Sequence, residues 1–148
     1  SHIRMADRVW SPLITEGEAD IILGFEKLET ARWGYFLRED GKAIINNQAP
    51  PPPSVVTGSP KYPDDDTISS LIRQRTEYVY LIDAGGMAKQ VGNARTYNIL
   101  LLGCLSAITP FKVSEWRTSI ARHLAEKLRT INLAAFDPGR KKMKELGL

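Results

Sequence analysis

The chain has 148 residues, 43% of them apolar and 25% charged, an ordinary composition for one folded domain with a sizeable core. Twenty Lys and Arg against 17 Asp and Glu leave a net charge of +3 and a pI near 9.1, too slight a surplus to imply nucleic acid. One cysteine and two distant histidines exclude an internal disulfide, a thiolate-bound iron–sulfur cluster and a Cys/His zinc site, and favour a cytoplasmic protein.

Residues 1–10 alternate apolar and polar side chains (Ile3, Met5, Val9, Trp10) about a turn at Ala6-Asp7, which predicts a hairpin. The alternative is that Ser1 to Met5 is the remnant of an expression tag. No stretch reads as a signal peptide or a membrane span. Residues 11–17 form a connection, and residues 19–25 are a short unbroken apolar run of the kind found in a strand buried on both faces. Residues 26–38 place Leu28, Ala31 and Tyr35 at helical spacing and end at Asp40-Gly41. With a further strand over 42–47, residues 19–46 make one βαβ unit, whose right-handed crossover implies a parallel pair.

Pro50 to Pro53 lack backbone donors and must run extended, outside any sheet interior. Residues 54–58 predict a short edge strand. The polar loop after it ends in Asp64-Asp65-Asp66, able to cap a helix over 67–75. Residues 78–83 predict a strand with Asp83 at its carboxyl end, and residues 84–91 a short helix leading into the turn Gly92-Asn93.

Between Ile99 and Ile108 only Ser106 is clearly polar, the mark of a helix buried all round. Residues 95–109 would span roughly 22 Å, too short to cross a bilayer. Asn93 can cap its first turn. Asn98 is the odd residue: a carboxamide among leucines costs about 1–3 kcal/mol unless partnered, so it either ties down neighbouring backbone or faces a partner. Cys104 reads as a small buried hydrophobe. After Thr109-Pro110-Phe111, residues 113–128 are amphipathic, with His123 a packed or surface helix residue rather than a catalyst. Residues 131–136 are helical, Asp137-Pro138-Gly139 suits either a kink or a fresh N-cap, and residues 141–146 complete the last helix. The basic run from Arg140 to Lys144 reads as a solvated helix face, with phosphate binding as the alternative.

The pattern as a whole is α/β: a single domain over 1–148, three-layered (α/β/α), with a mostly parallel sheet, a mixed one left open, and C-terminal helices. There is no G-x-G-x-x-G, P-loop or nucleophile elbow, and no catalytic or metal-binding residue stands out.

Several stretches, taken in order, carry a resemblance. They are Ser11-Pro12-Leu13-Ile14 with Gly17-Glu18-Ala19-Asp20, the strand Ile21 to Phe25 with Glu26, Asn46-Asn47-Gln48 with the prolines, and Asp83. Gly92-Asn93-Ala94-Arg95 with Asn98, Leu101-Leu102-Gly103, Asn132-Leu133, Ala135-Phe136 and Gly139 complete them. Together they resemble the gamma-type subunit of 2-oxoacid:ferredoxin oxidoreductases, and within that family the small (beta) subunit that acts on indolepyruvate. The family's opening Gly-rich strand-turn-helix, G-x-G-G-Q-G, has no counterpart here, so the chain looks like a member lacking its first βα portion, with an incomplete sheet and a tendency to self-associate.

The resemblance implies a subunit, inactive alone, of an enzyme that oxidises a 2-oxoacid with coenzyme A to an acyl-CoA and carbon dioxide, passing electrons to ferredoxin. Thiamine diphosphate, magnesium and [4Fe-4S] clusters would sit on large partner subunits, and none on this chain. The loop carrying Asn46, Asn47, Gln48 and Ser54, and the turn carrying Asn93 and Arg95 with Asn98 beyond it, would face partners or ligand, since α/β ligands gather at strand ends. The alternatives are a stand-alone α/β module binding a nucleotide-like ligand such as coenzyme A, and a structural docking subunit.

Overall fold

The apolar run after Glu18 forms β1 (Ala19–Gly24) in the computed structural model, which describes residues 1–48 and 62–148. The chain divides into two units, residues 1–45 with 49–81, and residues 46–48 with 82–148. The proline run, the predicted strand over 54–58 and Ser54 lie outside the described residues.

In the first unit β1 pairs in parallel with β2 (Leu37–Asn46), Ile22 opposite Ala43 and Gly24 opposite Ile45. The connecting helix α1 (Lys27–Trp33) is shorter than the periodicity predicts: it tightens into a 3-10 turn over Gly34–Phe36, and β2 starts at Leu37 rather than Lys42. The register explains this. Ala19 pairs with Leu37 but Ile21 with Lys42, so the exposed polar residues 38–40 are accommodated in a bulge that interrupts the apolar pattern. A Cβ on Gly41 would come within 2.6 Å of Leu37 Cδ1 and 3.0 Å of Ala19 O, so the buried Leu37 side chain would have to shift to admit one. On the other side of β2 lies β3 (Val79–Ile82): Ala43 N–H donates to Tyr78 O at 2.9 Å and Asn47 N–H to Ile82 O at 2.8 Å. Both chains advance together between these bonds, so this pair is parallel as well. The described residues thus form a three-stranded parallel sheet in the order β1-β2-β3, with β2 in the middle.

Glu26 starts α1. It is extended, and its carboxylate accepts from the amides of Leu28 and Glu29, both at 2.9 Å, and from the Tyr62 hydroxyl. Helix α2 (Asp65–Arg73) begins slightly earlier than expected because Asp64, not Asp66, is the cap, accepting from Thr67 N–H at 2.8 Å. Ile68 and Ile72, four apart on α2, pack with Leu37, Ala43 and Ile45. Lys27 is only 3% exposed and its ammonium is paired with Asp65 at 2.5 Å. An unpaired charge at that depth would cost several times more than the pair contributes.

Burial raises the Glu26 carboxyl, but the Tyr62 hydroxyl and the two α1 amides outweigh it, so its pKa lies below the ordinary value. A depressed folded pKa contributes stability that is present above the unfolded carboxyl's pKa and is lost as the pH falls through the folded value. Glu26→Gln retains an oxygen for capping but not the charge. Its melting temperature is expected to fall less steeply than the parent's between about pH 5 and about pH 3, where unfolded carboxyls titrate; parallel slopes in thermal melts over that range would remove Glu26 from the acid response.

The predicted N-terminal hairpin does not form. Among the described residues no backbone–backbone hydrogen bond involves residues 1–13, and Ile3, Met5 and Trp10 are exposed. Alternation without a ladder partner does not make a strand.

The second unit is helical: α3 (Ala84–Val91), a 3-10 turn over Ala94–Thr96, α4 (Tyr97–Ala107), α5 (Val113–His123) and α6 (Glu126–Glu145). Helix α4 buries Leu100, Leu101 and Cys104 completely. It crosses α6 at two glycines: a Cβ on Gly103 would stand 2.1 Å from Phe136 O, and one on Gly139 only 2.0 Å from Leu100 O. Backbone meets backbone there. Around the crossing Cys104 Sγ donates to Gly139 O at 3.3 Å, and the Arg140 guanidinium to Ser106 Oγ at 2.8 Å. Ile99, Ile120 and Phe136 form the core between α4, α5 and α6. The amphipathic pattern over 113–128 is interrupted at Leu124, whose backbone is extended, and α6 then runs unbroken through Pro138. Pro138 can donate nothing to the carbonyl of Ala134, an exposed residue, so water can replace that bond and the helix continues. No helix of the described residues is long and apolar enough to cross a membrane.

Candidate functional site

Asn46, Asn47, Gln48, Asn93, Arg95 and Asn98 all belong to the second unit, where α3 separates them into two groups. Its eight residues span about 12 Å.

The first group surrounds the start of α3. Asn46 closes β2 as a buried residue, while Asn47 and Gln48 are exposed at the carboxyl end of the strand. Asp83 comes directly after β3 and caps α3, accepting from Gly86 N–H at 2.8 Å. The Gln48 carboxamide lies over Gly85: a Cβ there would meet Gln48 Oε1 at 2.5 Å. Gly85 is buried and leaves room for this approach. The positive pole of α3 already faces the Asp83 carboxylate, so a phosphate at this end would meet a negative charge.

The second group surrounds the end of α3. Gly92 has φ +112, the left-handed conformation that closes a helix, and its N–H donates to the carbonyls of Ala88 and Lys89. Asn93 then caps the next turn: its Oδ1 accepts from Arg95 N–H at 3.0 Å, and its carbonyl accepts from the Thr96 hydroxyl at 2.8 Å. Thr96 is buried, and Arg95 and Asn98 are exposed. The turn from Gly92 to Arg95 therefore comes after a helix end, as the helix expected over 84–91 implies, and not after a strand end as its assignment to a ligand-facing position supposes. Asn98 lies on the outer face of α4, so it bears no desolvation cost, and its side chain makes no hydrogen bond among the described residues. Arg95 forms no ion pair among them either. A cation beside the carboxyl end of α3 is well placed.

Two contributions go unread in the sequence pattern. Asp83 reads there only as a strand end, although Asp-Ala-Gly-Gly after a strand is a capping signal. Gly85 gives no local signal, because its need to be small comes from Gln48, far away in sequence.

Neither group fits a metal or an iron–sulfur cluster, and no three His, Cys, Asp or Glu side chains of the described residues could hold a metal ion. Cys104 is fully buried, and burial pushes its thiol up to about 12. A neutral thiol sealed between α4 and α6 cannot ligate a cluster.

The family described as pyruvate ferredoxin/flavodoxin oxidoreductase matches residues 1–142. The chain is 32% identical over 140 residues to the indolepyruvate oxidoreductase subunit IorB of Archaeoglobus fulgidus, covering 93% of this chain and 69% of that one. It is 31% identical to the IorB subunit of Pyrococcus horikoshii, covering 99% and 74%. In fold it is similar to the gamma subunit of a keto/oxoacid ferredoxin oxidoreductase from Geobacter sulfurreducens, with a TM-score of 0.62 and 19% identity over 85% of this chain and 64% of that one. The same fold covers 21% of a 2-oxoglutarate:ferredoxin oxidoreductase chain from Magnetococcus marinus, solved with 2-oxoglutarate, coenzyme A and succinyl-CoA bound, with a TM-score of 0.61, 19% identity and 90% of this chain covered.

Proposed function

Because the chain belongs to the pyruvate ferredoxin/flavodoxin oxidoreductase family, we propose that it is the small, cofactor-free subunit of a cytoplasmic 2-oxoacid:ferredoxin oxidoreductase of the indolepyruvate type. The enzyme would convert an arylpyruvate-type acid and coenzyme A to an acyl-CoA and carbon dioxide, with the electrons passing to ferredoxin. The observation that carries this reading is the similarity to IorB subunits over nearly the whole chain. The single, sealed thiol supports the same division of labour, in which thiamine diphosphate, magnesium and [4Fe-4S] clusters would sit on a large partner.

In this reading the exposed Asn47 and Gln48 face the partner, Asn46 being buried at the end of β2 and so not available to one, while Arg95 with Asn93 and Asn98 offers a cation and carboxamides to an anion. Coenzyme A is the natural anion to test there, since it is bound in the Magnetococcus marinus enzyme. Ser54 belongs to the same proposal but lies outside the described residues.

The test is reconstitution. The chain mixed with the large subunit of an indolepyruvate oxidoreductase is expected to elute as a complex that carries iron and thiamine and reduces ferredoxin when given indolepyruvate and coenzyme A. The isolated chain is expected to show no iron, no thiamine and no activity. In the complex, Arg95→Ala should raise the KM for coenzyme A while leaving assembly intact. Failure to assemble, together with tight coenzyme A binding by the isolated chain in calorimetry, would instead make it a stand-alone binding module.

A further inference from the structure

We propose that α5 is a hinged lid on the second unit, which lifts as a body while the crossing of α4 and α6 stays closed. Of its eleven residues only Ile120 is buried. Ile120 shares a core with Ile99 of α4 and Phe136 of α6, with Trp116 and Leu124 beside it and Leu102 and Leu133 on the seat below. Among the described residues the polar tie from α5 to α6 is the Arg117 guanidinium, which donates to both oxygens of Asp137, at 2.8 and 3.0 Å. Both side chains are exposed, so this pair holds the helix only weakly. The other polar contacts travel with the helix: Glu115 accepts from Lys112 N–H at 2.9 Å, and His123 Nδ1 lies 2.8 Å from Ser119 O.

Both ends of α5 are free to swing. Among the described residues no backbone–backbone hydrogen bond involves Thr109, Pro110 or Phe111, and Pro110 has no N–H to donate. At the other end Leu124 (φ −108, ψ 142) and Ala125 (φ −57, ψ 143) are extended between two helices. Closure also leaves two polar groups without partners: the Trp116 indole Nε1–H and the Thr109 hydroxyl are sealed from solvent and bonded to no described group. A buried polar group without a partner keeps its full desolvation cost, and lifting α5 returns both to water.

The lid covers Leu102 and Phe136 but not Cys104. Helix geometry puts Cys104 about 200° around α4 from Leu102 and about 140° from Ile99, and its sulfur faces Gly139 of α6. The second unit thus has two states that differ in whether an apolar seat on α4 and α6 is covered. Anything that binds α5 or the seat selects between them.

Native-state hydrogen exchange of the 148-residue chain, followed by NMR, tests this. An eleven-residue helix does not persist alone in water, so the amides of residues 117–123 exchange whenever it lifts. They are expected to share one protection factor, at least about tenfold below that of α4, because a local opening costs less than global unfolding. Low urea should hardly change it, since little surface is exposed, while the protection of α4 and the middle of α6 falls steadily. Cys104→Ala weakens the crossing and leaves the lid contacts intact. It should lower the protection of α4 at least about fivefold and leave that of α5 unchanged. Arg117→Gln removes a contact that the open lid has already lost, so α5 should lose about two- to fivefold, the worth of an exposed ion pair. Thr109→Val removes an unpaired hydroxyl at nearly constant shape and should raise α5 protection at least about threefold. The lid is overturned if α5 shares the protection and urea dependence of α4, or if Cys104→Ala lowers both helices equally. It is likewise overturned if Arg117→Gln or Thr109→Val leaves α5 unchanged.

Discussion

Gly139→Val is expected to abolish cooperative folding, and Gly139→Ala to lower the melting temperature even though alanine is worth about 1 kcal/mol more than glycine within a helix. The reason is geometric. A first carbon on Gly139 would lie 2.0 Å from Leu100 O and 3.0 Å from Cys104 N, both backbone atoms of α4. A side chain in the way can change rotamer, but a helix backbone cannot, so α4 and α6 would have to separate. Ordinary overpacking costs about 1–3 kcal/mol. Separation would also forfeit the sealed contact of Leu100, Leu101, Cys104 and Phe136, all with no exposed surface, against a total stability of only about 5–15 kcal/mol. Urea and thermal unfolding followed by circular dichroism measure this. An alanine variant as stable as the parent would mean that the two helices do not touch at Gly139.

Leu101→Asp is expected to leave no folded protein, whereas Asn98→Asp, three residues away on the same helix, should melt within about 0.5 kcal/mol of the parent, as exposed substitutions do. Leu101 has no exposed surface. A carboxylate placed there without a partner costs several kcal/mol, or else takes up a proton and still leaves a polar group unpaired. Asn98 is on the solvated face, where a charge remains hydrated. The pair also checks how α4 is oriented: equal sensitivity at both positions would show that the helix is turned from the orientation described.

Local chemistry makes much of the fold legible. The bounds of α3 are the ones the sequence predicts, because Asp83 at one end and Gly92 at the other supply both stop signals within a few residues. The parallel βαβ unit comes from an apolar run, a helical spacing and a second apolar run. The features that escape are decided by contacts distant in sequence. The start of β2 is hidden because Leu37 is separated from the apolar run by polar residues that the bulge turns outward. Asn98 misleads for a related reason: beside leucines in sequence it looks buried, but consecutive helix residues point about 100° apart. Pro138 signals a break that the surrounding helix simply spans.

The candidate site is legible where it depends on a turn. Gly92-Asn93 announces the cap that orients Arg95 and Thr96. The approach of Gln48 to Gly85 depends on β2 and β3 lying side by side, and no local pattern encodes that.

The seclusion of Cys104 gives the molecule a clock of its own. Its sulfur is its one thiol, has no exposed surface, and stays protonated because burial raises it to about 12. A maleimide or aromatic disulfide can reach it only during the moments when α4 and α6 part, so the rate of label uptake counts those openings one by one. With reagent in excess the uptake becomes independent of reagent concentration, and the plateau is the rate at which the crossing opens under native conditions, read from a single atom with nothing engineered into the chain.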